Sequence, residues 1–176
     1  MPTPVIRLAT PADTHTLAAF GAQAFADAYR ELSDAQEIAD YVAEHFRPEV
    51  MASVIGDPAC TVLLAWVGDS LAGYAIVKAE PAPDCVTGPA PIHLWRIYLG
   101  GGFIGQGLGS RLMRAVNAEA RRQGAQTLWL GVYDRNVRAV QFYERFGFAK
   151  VGGQEFEFGG QIYIDPVYAA AVRQEI

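Results

Sequence analysis

The run LGGGFIGQGLGSRLM, Leu99 to Met113, constrains the chain more than any other. Seven of its fifteen residues are glycine or serine. A β-branched and aromatic run, IHLWRIYL, precedes it, and an amphipathic helical pattern follows it, with Leu108, Leu112, Val116 and Ala120 on one face. A strand feeding a glycine-rich turn feeding a helix is a backbone device for holding an anion. Glycines let successive N–H groups converge on one point, and the helix N-terminus adds its positive dipole end.

Other glycine loops fit less well. A phosphate loop of the GxxxxGK[ST] type needs a Gly-Lys pair, and none is present. A dinucleotide fingerprint needs GxGxxG. From Gly105 the third glycine falls one place early, and Ala125 stands about 20 residues on, where an acid is required. A purely structural turn is the bland alternative. The anion cradle, with a pyrophosphate as its ligand, is the reading retained.

The 176 residues suit one domain, taken as 1–176, with a sizeable core. Hydrophobic residues at 51% against 19% charged exclude a disordered chain. A net charge of −5 with no basic stripe argues against nucleic acid and suits a cationic small molecule. Cys60 and Cys85 lack CxxC spacing, so no disulfide framework, zinc site or other metal site is expected. MPTPVIRLATPAD contains no apolar leader segment, and no run is long enough to span a bilayer, so a cytoplasmic protein is expected.

VIRLA reads as a short strand. Thr10 caps a helix that starts at Pro11 and turns Leu17, Phe20, Ala24 and Phe25 inward. A second helix follows Ser33-Asp34 through Ile38, Tyr41, Val42 and Phe46, and a short helical piece covers Val50 to Val54. CTVLLAWV and LAGYAIVKAE form a hairpin across Gly68-Asp69-Ser70. PAPDCVTGPAP is a loop by composition. TLWLGV is a strand covered on both faces, and NVRAVQFYERFGF is a helix capped by Asn136 and closed at Gly147. QEFEFGGQIYID is a hairpin turned at Gly159-Gly160. The order βαα-ββ-β-loop-α-β-α-ββ is mixed α/β.

Two stretches then carry a resemblance. The loop Gly105-Gln106-Gly107-Leu108-Gly109-Ser110, after its strand and before its helix, resembles the acetyl-CoA loop of the GNAT superfamily of N-acetyltransferases. NVRAVQFYERFGF is similar to that family's Asn-x-x-Ala-x-x-Phe-Tyr-x-x-x-Gly-Phe helix. The resemblance covers the whole chain, most specifically Ile92 to Phe148. It implies a twisted, mostly antiparallel sheet of about seven strands with a splayed central pair, flanked by four to five helices. It implies acetyl-CoA as co-substrate, bound by Ile104 to Ser110 and by backbone groups of Ile97, Tyr98 and Leu99, and direct acetyl transfer in a ternary complex. Two departures stand out. Ile104 occupies the place of the family's Arg or Gln, and Gly100-Gly101-Gly102 replaces a stiffer turn. Fixing such backbone costs about 1–2 kcal/mol per residue, so weakened CoA binding is expected.

Acetyl transfer to an amine requires a held thioester, a neutral nitrogen, a stabilised oxyanion and a proton for the leaving thiolate. Tyr143 matches the family's general acid; on spacing alone it is a core aromatic among Val140, Phe142 and Phe146. A lysine-like amine with pKa near 10.4 carries a deprotonation penalty of about 4–5 kcal/mol at pH 7. His93 stands near the position of the family's glutamate base; a structural or exposed strand histidine, or a water chain to an acid of the first helices, are the other readings. Asn136 caps its helix and also falls where the family contacts the cofactor.

The acids Asp27, Glu31, Asp34, Glu37, Asp40, Glu44, Glu155, Glu157 and Asp165 can be a solvated surface or the lining of an acceptor cleft, with Asp27 and Glu31 sharing a helix face. AFADAYRELSDAQEIADYVAEHF and FEFGGQIYIDPVY are similar to the bacterial polyamine-acetylating branch, although Tyr168 replaces its common methionine. That likeness implies a small polycation such as spermidine, with Tyr29 and Glu31 at the acceptor; the family resemblance implies a homodimer. A protein amine, an aminoglycoside-like acceptor and a non-catalytic acyl-CoA-binding module are the alternatives.

Overall fold

A computed structural model describes residues 2–174. Strand β1 (Val5–Leu8) leads into α1 (Thr14–Tyr29), α2 (Ala35–His45) and α3 (Pro48–Gly56). Strands β2 (Cys60–Val67), β3 (Ser70–Lys78) and β4 (Pro91–Leu99) follow. Then come α4 (Leu108–Arg122), β5 (Thr127–Gly131), α5 (Val137–Arg145), β6 (Ala149–Phe158) and β7 (Gln161–Ala171). The strands form one seven-stranded sheet in the order β1-β2-β3-β4-β5-β7-β6. The β4–β5 pair is parallel, and β1–β2, β5–β7 and β6–β7 are antiparallel. No described helix is long and apolar enough to cross a membrane.

The chain separates into two compact units, one of Met1–Val77 with Arg96–Val116, the other of Lys78–Trp95 with Asn117–Ile176. In the first, Leu17, Phe25, Phe46, Met51, Leu64 and Tyr74 are buried under α1 to α3. Each such side chain contributes about 1.5–3 kcal/mol by leaving water. The start of α1 differs from expectation. A single 3-10 turn, Pro11–Asp13, comes first, because the Asp13 carboxylate accepts from the Thr10 N–H at 2.8 Å and grips Arg7 with both oxygens, 2.8 Å each. Arg7 holds that carboxyl far below its ordinary range, even against burial.

The second unit contains the C-terminal hairpin. Gly159 and Gly160 both have positive φ, 60° and 72°, as a tight two-residue turn between right-twisted strands requires. Its β7 pairs with β5 from Thr127↔Ala171 to Gly131↔Val167, so Trp129 and Val167 pack with Val86 in a small core. Past β7, Arg173 is tied down. Its N–H donates to Asn117 Oδ1 at 2.9 Å, and its carbonyl accepts from Arg121 at 2.6 Å.

Candidate active site

The glycine loop begins where β4 ends. Gly100 N–H donates to Ala72 O at 2.9 Å, which extends the strand's hold by one residue. Gly101–Phe103 makes a 3-10 turn, and the Gln106 amide donates to Gly102 O at 2.6 Å across it. Gly105 and Gly107 then take φ of +82° and +80°. A Cβ at either would meet nothing within 4 Å, so glycine is needed there for its backbone and not for room. The first bond inside α4 runs from Arg111 N to Gly107 O, 3.2 Å. The N–H groups of Leu108, Gly109 and Ser110 therefore have no partner within their own helix. Left-handed glycines followed by orphan helix N–H groups are a backbone arrangement able to hold an anion, anchored by buried Leu108 and Leu112.

The end of β4 is held close to β3. A Cβ on Gly73 would lie 2.7 Å from a Leu99 methyl and 3.0 Å from Tyr98 O. The Tyr98 ring turns to Tyr74 at 5.8 Å and Phe25 at 6.4 Å, and burial pushes its hydroxyl up to about 12. Its side chain therefore belongs to an aromatic cluster. Arg96 lies in the same cluster, buried, with its guanidinium 4.5 Å from the centre of the Phe46 ring. The β4–β5 ladder covers only Pro91↔Thr127 to His93↔Trp129, although β4 runs on to Leu99 and β5 to Gly131. This is the expected splay, and His93 stands at its last rung.

His93 is 8% exposed, stacked flat on Trp129 with ring centres 3.7 Å apart. Its Nδ1 lies 2.5 Å from Glu80 Oε1, and Lys78 Nζ holds the other oxygen of Glu80 at 2.8 Å. Burial lowers the pKa of His93, with Glu80 opposing and Lys78 assisting. Burial works to raise that of Glu80, but Lys78 and His93 outweigh it and hold it below its ordinary value. Glu80 was not visible as a partner in the sequence, because a loop rich in proline separates it from His93 and gives no spacing signal.

Tyr143 lies on α5, half-buried, edge-on to Phe142 at 5.6 Å and Phe148 at 5.8 Å. The helix end fixes its position. Phe148 N–H donates to Tyr143 O at 3.2 Å, and Gly147 N–H to Glu144 O at 3.0 Å, with Gly147 at φ +86°. At the other end Asn136 Oδ1 accepts from Ala139 N–H at 3.2 Å, so Asn136 is the N-cap.

The acidic residues divide. Asp27 and Glu31 do not share a helix face, because α1 stops at Tyr29 and Glu31 stands on the exposed turn beyond it. Asp27 is engaged by Arg30 and by Gln23, the latter at 2.9 Å. Tyr29 stacks on Phe25 at 4.5 Å. Asp34 caps α2 by accepting from Gln36 N–H at 2.8 Å. Asp40 accepts from the Gln36 amide. Glu155 and Glu157 are exposed on β6, whereas Asp165 is buried. No group of three or more ligating side chains suited to a metal occurs among the described residues.

The glycine loop ahead of α4 offers backbone donors for an anion, and Tyr143 on α5 and His93 on β4 are groups able to exchange protons. Known proteins agree. The sequence profile of the acetyltransferase (GNAT) family matches residues 23–148. An uncharacterized N-acetyltransferase of Mycobacterium tuberculosis is 31% identical over 147 residues, 84% of this chain and 90% of that protein. The spermine/spermidine N(1)-acetyltransferase of Bacillus subtilis is 28% identical over 99 residues, 56% of this chain and 63% of that protein. The crystal structure of the PaiA N-acetyltransferase of Thermoplasma acidophilum with coenzyme A superposes with a TM-score of 0.79 at 18% identity, covering 96% of this chain and 99% of that one. The chain belongs to the GNAT family and is an acetyl-CoA-dependent N-acetyltransferase.

Proposed function

We propose that the chain acetylates a primary amine of a small, polyamine-like cation, with both substrates bound together. The observation that carries the reading is the paired left-handed geometry of Gly105 and Gly107 ahead of the open first turn of α4. Backbone amides from Gly105 to Ser110 bind the pyrophosphate, with Gln106 and Ile104 at the rim. Asn136 borders the cofactor while it caps α5. Backbone groups of Ile97, Tyr98 and Leu99 hold the pantetheine arm, and an N–H among them donates to the oxyanion, an interaction worth about 3 kcal/mol.

His93 accepts a proton from the ammonium, directly or through water. The neutral nitrogen gains the acetyl carbon as the carbon–sulfur bond breaks. Tyr143 protonates the departing thiolate and recovers a proton from the new amide nitrogen. His93 then returns its proton to solvent. Tyr29 and Glu31 lie at the acceptor end. The polycation is supported by the net charge of −5, and by the partial likeness to the Bacillus subtilis enzyme.

The test is thiol release from acetyl-CoA across spermidine, spermine, lysine peptides and aminoglycosides. Release with a polyamine, reduced about 100-fold or more in Tyr143→Phe, is the expected result. Release with another amine alone discards the polyamine acceptor. Unchanged release in Tyr143→Phe discards that residue as the acid.

A further inference from the structure

We propose that Glu80 is a positioning residue for the base. It fixes the imidazole of His93 with Nδ1 protonated and Nε2 open, and Lys78 fixes Glu80 in turn. This rests on the reading of His93 as the proton acceptor given above.

Each oxygen of Glu80 has its own partner. Oε1 faces Nδ1 of His93 at 2.5 Å, and Oε2 faces Lys78 Nζ at 2.8 Å. A carboxylate beside Nδ1 can only accept, so the ring nitrogen there carries the hydrogen. A neutral imidazole then has its lone pair on Nε2, the nitrogen able to take a proton from an amine. The ring cannot turn over freely, since Trp129 covers it face to face, 3.7 Å away with the planes 3° apart. Lys78 is held in turn, with its ammonium 4.8 Å above the Trp95 ring. No protein group among the described residues bonds Nε2 of His93. The vertex of the β4–β5 splay is where this ring sits.

Other roles for the trio are less economical. A merely structural ion pair would join Glu80 to Lys78 and leave His93 indifferent to the charge. Instead the buried histidine takes one oxygen for itself. The charged groups that face it are Glu80 and Lys78. From β5 it meets the uncharged indole of Trp129, which belongs to a small apolar cluster with Val86 and Val167.

The experiment is the pH dependence of kcat/KM with the best amine of the panel, in the full chain, for wild type, Glu80→Gln and His93→Gln. It is paired with the imidazole ¹⁵N spectrum of each folded protein. The acid limb of the wild type falls below pH 6.5, the ordinary value for histidine, because burial lowers that group. Glu80→Gln can keep the hydrogen bond through its carbonyl oxygen but loses the charge that supports protonation. Its acid limb moves to lower pH, and its plateau rate drops roughly 3- to 30-fold, as a less basic imidazole requires. His93→Gln loses the limb. In wild type the spectrum shows one His93 tautomer, protonated at Nδ1. A limb in Glu80→Gln at the wild-type pH, or a His93 tautomer protonated at Nε2, overturns the role of Glu80. A His93→Gln variant with wild-type rate and profile overturns the base itself. If the wild type releases no thiol with any amine, the acceptor reading fails, and the spectrum alone still decides whether Glu80 sets the tautomer.

Discussion

Gly107 and Gly101 stand six residues apart in one loop and answer to different physics. Gly107 has φ +80° and opens α4; Gly101 has open space around it and no positive φ. A side chain at Gly107 forces a left-handed conformation that costs about 1–2 kcal/mol. Gly107→Ala therefore weakens CoA binding by roughly 5- to 30-fold in calorimetric titration. Gly101→Ala fits the backbone as it stands and removes freedom from the unliganded loop, worth about 0.4–1 kcal/mol. It tightens CoA by about 2- to 5-fold. Equal effects of the two substitutions would show that the loop does not keep this conformation on binding. Ile104, extended and 36% exposed, offers the cofactor no side-chain donor. The same titration with Ile104→Arg is expected to show tighter binding that weakens as salt is added.

Helix α5 shows how one element carries a residue to its place. Three observations agree on its last turn: the left-handed Gly147, the N–H of Phe148 on Tyr143 O, and the ring of Phe148 against that of Tyr143. Gly147→Ala strains that turn by about 1–2 kcal/mol. A Cβ there also comes 3.2 Å from the Arg173 guanidinium. The melting temperature falls by roughly 2–8 °C. If Tyr143 is the acid, kcat falls while the KM for acetyl-CoA holds, because the loop of α4 is untouched. A melting point that falls with kcat unchanged would separate the cap from the chemistry. The cap was legible in the sequence, since Asn136, Gly147 and Phe148 act on neighbours within a few residues. The glycine loop was legible for the same reason. The partner of His93 was not, because β3 and β4 bring Glu80 to it only after they pair. Nor was the end of α1, which stops at Tyr29 before Glu31 can join the face of Asp27.

Across the whole molecule, the titrating groups pull mostly one way. Asp13 is held down by Arg7, and Glu119 by Arg122. Lys78 and His93 hold Glu80 down against burial. A carboxyl whose folded value is depressed gives stability above its unfolded value and loses it as pH falls through the folded one. His45 and His93 are lowered by burial, so the folded protein resists protonating them, and stability declines below about pH 6.5 as well. The chain should therefore lose stability from neutrality downwards, as read by melting temperature against pH. Asp165 opposes this trend. It is 8% exposed, raised by burial and by Asp134, and no donor bonds it among the described residues. Its charge is a burden at neutral pH that protonation relieves. Asp165→Asn removes the burden. An unsatisfied buried polar group costs about 1–3 kcal/mol, so removal of this charge is expected to return on the order of 1 kcal/mol. The variant melts about 2–4 °C higher at pH 7, and the advantage shrinks as pH falls toward 4. A lower melting temperature at pH 7 would mean that Asp165 has a cationic partner in solution. The amine panel would then show whether that partner is the acceptor, through a raised KM in the same variant.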